Sequence, residues 1–91
     1  MRDFYIGDRV RYVPKPSGHI TPLSDAQYRD LMEHPYGTVR GFSDDDIIVE
    51  FDAIQTGHDC GRTVLSGRGF YVDYRELVLA APKIVSISNL I

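Results

Sequence analysis

Gly37-Thr38-Val39-Arg40-Gly41-Phe42-Ser43-Asp44-Asp45-Asp46-Ile47-Ile48-Val49-Glu50-Phe51-Asp52 decides the fold. Ile47, Val49 and Phe51 fall on one side of an extended chain, and Glu50 and Asp52 fall on the other. That period of two marks a half-buried strand. Residues 37–42 form a second strand-like run, and Ser43 to Asp46 is a polar turn between them. The three aspartates are too few for an acidic tail and read as a solvated hairpin turn.

Working outward, Gly7-Asp8 is a turn signal ahead of Arg9-Val10-Arg11-Tyr12-Val13. Here Val10 and Tyr12 face inward and Arg9 and Arg11 outward. Pro14 and Pro16 stop this strand, because proline cannot donate to a ladder. Residues 19–36 form an insertion. Ser24 and Gln27 have capping-box spacing, and Tyr28, Leu31 and Met32 make an apolar stripe. The pattern predicts a short helix over residues 24–33, lying over one mouth of a barrel. A helix this short must dock to persist. Phe70 to Tyr74 is a fourth strand. Arg75 to Leu77 is a turn, and Val78 to Ala80 is a fifth strand.

Five short strands in a 91-residue chain predict an all-β domain. The expected form is a small five- to six-stranded antiparallel barrel over residues 1–82, with one short helix inserted between the first two strands. The expected core is Val10, Tyr12, Val39, Ile47, Val49, Phe51, Val72 and Leu77. Residues 83–91, Lys83-Ile84-Val85-Ser86-Ile87-Ser88-Asn89-Leu90-Ile91, are β-prone and mostly uncharged. They are read either as a sixth strand or as a strand added to another chain, which leaves monomer and homodimer both open.

The net charge of −3 disfavours a generic polyanion binder. One cysteine makes no internal disulfide and fits a reducing compartment. Met1 to Asp8 has no uninterrupted apolar signal-peptide core, and no apolar run has spanning length. A cytoplasmic protein without a membrane partner is expected.

Gly57-His58-Asp59-Cys60-Gly61-Arg62-Thr63-Val64-Leu65-Ser66-Gly67-Arg68-Gly69-Phe70-Tyr71-Val72 holds four of the eight glycines and the only cysteine. His58 and Cys60 complete no four-ligand zinc set, so no metal or cofactor is expected. A thiolate–imidazole pair would need a third orienting group and an oxyanion site, and neither is visible, so no enzyme is expected. Four glycines allow positive φ and close approach. The loop is read either as a long hairpin connection or as a connection that also binds, with Arg62 and Arg68 adding charge to amides turned toward an anion.

Gly7-Asp8-Arg9-Val10-Arg11-Tyr12-Val13, Tyr36-Gly37-Thr38-Val39, Ile47 to Asp52 and Glu76-Leu77-Val78-Leu79 resemble, in that order, the running pattern of SH3-like barrels. They are similar to KOW and Mind-bomb-type domains. His58, Cys60, Gly67, Gly69, Phe70, Tyr71 and Val72 resemble a G-H-x-C-x-G … G-x-G-[WFY]-[YW]-V element of small, often phage-encoded proteins. The chain departs from that element in its long insertion at 19–36 and in Arg68, which stands where a histidine is expected. The resemblance implies a barrel and an origin rather than an activity.

The expected function is a non-enzymatic binding module, namely a protein-binding adaptor or inhibitor of phage or mobile-element type. The alternative is a nucleic-acid-binding module that uses Arg9, Arg11, Arg40, Arg62 and Arg68. Pairing of Arg9, Arg11 and Arg40 with Glu50, Asp52 and Asp73 across strands competes with that alternative. The binding residues expected are His58, Asp59, Arg62, Arg68 and Tyr71 on the loop and following strand, with Arg9, Arg11 and Arg40 on the strands.

Overall fold

The computed structural model describes residues 3–16 and 18–80. The hairpin is built as its alternation requires. β2 (Tyr36–Ser43) pairs antiparallel with β3 (Asp46–Phe51). The turn is shorter than expected, because Asp46 already belongs to β3 and only Asp44 and Asp45 connect the strands. Asp44 takes φ 50°, a left-handed conformation that aspartate tolerates better than most residues. The register shifts between Val39 and Gly41, so Arg40 sits at a bulge that increases the local twist.

β1 (Arg9–Tyr12) pairs with β2 on one side and β5 (Leu77–Leu79) on the other, and β4 (Gly69–Asp73) pairs with β3. The result is one five-stranded antiparallel sheet in the order β4-β3-β2-β1-β5. No ladder joins β4 to β5 among the described residues, so the hydrogen-bonded sheet is open. Every strand boundary except the start of β1 differs from expectation by one residue. Tyr74–Glu76 forms a 3-10 turn, which ends β4 at Asp73 and starts β5 at Leu77. The expectations for residues 83–91, including a homodimer through them, lie outside the described residues.

All eight expected core residues are buried on one face of the sheet, joined by Phe4, Leu31, Ile54 and Phe70. Phe51 and Phe70 meet edge-on, with ring centroids 5.6 Å apart. That is a preferred aromatic geometry.

The helix α1 (Asp25–Glu33) starts where the capping box predicts. The Gln27 amide donates to Ser24 Oγ at 3.2 Å, and the Ser24 amide donates to Gln27 Oε1 at 3.1 Å. Its apolar stripe is narrower than expected. Leu31 is fully buried and Tyr28 packs against the core, but Met32 is 48% exposed. Met32 lies about 100° around the helix from Leu31, so a helix docked through one residue per turn turns it to solvent.

The insertion is tied down by Glu76, which is 0% exposed. Its carboxylate accepts the amides of Ile20 and Thr21, each at 2.8 Å. Burial pushes this carboxyl up, but the Thr21 and Ile20 amides outweigh burial and leave it below its usual value. The Tyr12 hydroxyl is buried near this carboxylate and makes no hydrogen bond among the described residues. Burial first, and the Glu76 charge second, push the Tyr12 phenol up.

Candidate functional site

The Gly57–Val72 stretch folds onto the outer face of the sheet. Cys60 and Val64 cover Ile48 there and form a small second core. Room for both comes from Gly69. A Cβ at that position would meet Val64 Cγ2 and would lie 2.8 Å from Cys60 Sγ. The loop is closed at its neck by main-chain bonds. His58 and Gly69 exchange two of them, at 2.7 and 2.8 Å, and the Gly57 amide donates to the Gly67 carbonyl at 2.8 Å. At the tip, Cys60, Gly61 and Arg62 all have positive φ.

Three of the four loop glycine amides expected to face an anion are used internally. The amides of Gly57 and Gly69 serve the neck, and the Gly61 amide donates to Asp59 Oδ1 at 3.2 Å. The Cys60 thiol is buried. Burial first, then the Asp59 charge, push its pKa up, which disfavours the thiolate a nucleophile needs. Among the described residues no three His, Cys, Asp or Glu side chains gather to hold a metal ion, and no helix is long and apolar enough to cross a membrane.

The expected arginines fall into two groups. Arg9 grips Asp52 with two bonds, at 2.8 and 2.6 Å, and also donates to Thr38 Oγ1 at 2.9 Å. Arg40 Nε meets Glu50 Oε1 at 2.9 Å. Arg68 donates to the Asp52 carbonyl at 3.3 Å. Burial raises the Glu50 carboxyl, but the Arg40 bond and the Leu65 amide hold it below its usual value; the Arg9 bond holds Asp52 down, and Arg68 adds the smallest share to both. A hollow of about 460 Å³ lies among Arg40, Glu50, Asp52, Leu65 and Arg68, with its charges already compensated. Arg11 and Arg62 are exposed elsewhere, on β1 and at the loop tip, with no ion-pair partner among the described residues.

His58 and Tyr71 come together. Their ring centroids are 6.3 Å apart. Both line a groove of about 390 Å³ with Pro22, Leu23, Gln27, Ser43, Asp46 and Phe70. Tyr71 is 37% exposed, which supplies the exposed aromatic expected on the fourth strand. Asp59 stays at the loop surface, bonded to Gly61.

The remaining groove residues were not legible as a site. Pro22, Leu23 and Gln27 reach it because the Thr21 hydroxyl accepts the Asp73 amide at 3.0 Å, which brings the insertion to the outer edge of β4. No local pattern encodes that contact. A hint lay in Asp46, an acid on the outward face of β3 next to the aromatic strand. Burial first, then Asp73, Asp45 and Asp44, push the Asp46 carboxyl up. The groove thus holds a half-buried acid repelled by its neighbours and offset by no cation among the described residues.

No family model matches the chain, and neither the curated proteins nor the solved structures contain a significantly similar one.

Proposed function

We propose that the chain is a non-enzymatic protein-binding module of SH3-like build, an adaptor or inhibitor of phage or mobile-element type. The groove bounded by His58, Tyr71, Pro22, Leu23 and Asp46 carries this reading. It combines aromatic and apolar walls with a few polar groups, which is the composition of a peptide-binding cleft. The SH3-like build is supported by the strand order β4-β3-β2-β1-β5 and by the 3-10 turn ahead of the last strand. The absence of an enzymatic role is supported by the buried, thiol-favouring surroundings of Cys60.

The nucleic-acid alternative is the weaker reading. Arg9, Arg40 and Arg68 are engaged with the carboxylates or carbonyl of their own sheet face, which leaves Arg11 and Arg62.

The test is capture of partners from host lysate by the wild-type chain and by Tyr71→Ala, Asp46→Asn and Arg11→Ala. A protein retained by wild type and Arg11→Ala but lost with both groove variants is the expected result. Equal retention by all four overturns the groove. Salt-sensitive oligonucleotide binding that Arg11→Ala weakens would favour the alternative.

A further inference from the structure

The outer edge of β4 is closed at two places and open between them. The Phe51 amide donates to the Arg68 carbonyl at 2.8 Å, so in the alternating antiparallel pattern residues 68, 70 and 72 turn their main-chain groups toward β3. Residues 69, 71 and 73 therefore turn theirs outward. Gly69 is satisfied there by His58, and the Asp73 amide by the Thr21 hydroxyl. The Tyr71 N–H and C=O lie between these anchors and have no partner among the described residues. They open beside the groove that Tyr71, His58 and Pro22 line.

We propose that this gap receives one residue of an extended partner peptide, which exchanges both main-chain hydrogen bonds with Tyr71 and extends a cationic side chain to Asp46. The proposal rests on reading the groove as protein-binding and names the mode and the partner's chemistry. The existing His58–Gly69 bridge shows the pairing geometry two residues away on the same edge. A residue opposite Tyr71 projects its side chain to the face that carries the Tyr71 side chain. Asp46 is on that face, since it pairs with Asp73 and Ile48 pairs with Tyr71. Charge complementarity selects the cation. Asp46 has no counter-ion among the described residues, and three further aspartates act on it.

The size of the gap limits the occupant. Residues 69 and 73 are about 13 Å apart along a strand rising about 3.3 Å per residue. A long added strand would collide with His58 or Thr21. The peptide therefore crosses the edge, pairs once, and draws its selectivity from the side chain beside Asp46.

The experiment uses the full chain, labelled for amide NMR. The probe is a blocked pentapeptide of threonine and valine with a central lysine. Two controls carry either a central glutamate or a lysine methylated on its backbone nitrogen. The expected result is a shift of the Tyr71 amide with the lysine peptide, affinity about tenfold lower for the glutamate peptide, and loss of the shift on methylation. Asp46→Asn should reduce the lysine–glutamate difference while the Tyr71 shift remains. Groove shifts indifferent to methylation overturn the edge pairing and leave the protein-binding reading standing. A Tyr71 amide already protected from exchange and unmoved by peptide means that residues 83–91 or a second copy fill the gap, and the proposal falls. It also falls if that amide exchanges freely and no peptide moves it.

Discussion

The Glu76 carboxylate holds the Thr21 amide at 2.8 Å, across 55 residues of sequence. Thr21 in turn holds the end of β4 through its hydroxyl. One buried acid thereby sets where the insertion meets the sheet. Glu76→Ala leaves the buried Thr21 amide and the part-buried Ile20 amide without their acceptor and should destabilise the fold by about 3 kcal/mol. Glu76→Gln keeps an acceptor and should cost about half of that. Urea unfolding of the two variants checks the order. Equal losses would mean that the charge, rather than the acceptor geometry, dominates.

The same acid predicts a pH dependence. Its carboxyl is lowered in the folded chain. That contribution is complete above the unfolded value of about 4.3 and is lost as pH falls through the folded value. Asp52, held down by Arg9, and Asp73, held down by Arg75, act in the same direction. Asp46 acts in the opposite direction, because its folded value is raised. Melting temperature should therefore fall as pH is lowered below about 4.3. The fall should be shallower in Glu76→Gln.

Gly69→Ala should unseat the loop. The added methyl collides with Val64 and Cys60, so the second core must open or shift. Overpacking of this kind costs about 1–3 kcal/mol. The specific readout is the thiol: Cys60 is buried in the wild type and should react with an alkylating reagent faster in the variant. Gly61→Ala meets open space and strains only its φ of 67°, so it should cost about 1 kcal/mol and leave thiol reactivity unchanged.

Phe70→Ala should cost about 3–5 kcal/mol, since it removes a fully packed ring and its edge-on contact with Phe51. Arg9→Ala should cost under about 1 kcal/mol, because both it and Asp52 are exposed. Denaturant melts of both variants check the contrast. A larger effect at Arg9 than at Phe70 would contradict the core assignment.

Legibility tracked sequence distance. The β2–β3 hairpin and the capping box are carried by residues a few positions apart, so alternation and spacing expose them. The pairing of Arg40 with Glu50 followed from facing directions on neighbouring strands. Glu76 was opaque for the opposite reason. An acid beside a turn normally faces water, and its burial depends on an insertion returning from residues 20 and 21. Met32 illustrates a different limit, because periodicity gives a helix face but not how wide a strip the core covers. The groove combines both difficulties. Tyr71 was visible from its strand parity, and Asp46 adjoins it through the β3–β4 ladder, whereas Pro22 and Leu23 reach the groove through tertiary docking alone.

The neck at Gly57–Gly67 and His58–Gly69 has an engineering consequence. Its ends are held by three main-chain bonds and its walls by Cys60 and Val64, while the tip at Gly61–Thr63 is exposed. The closure cost of a flexible segment grows slowly, by about 0.6 kcal/mol per doubling of length. Foreign peptides spliced between Gly61 and Arg62 should therefore be displayed without disturbing the sheet, making this tip a graft point for epitopes or reporter tags.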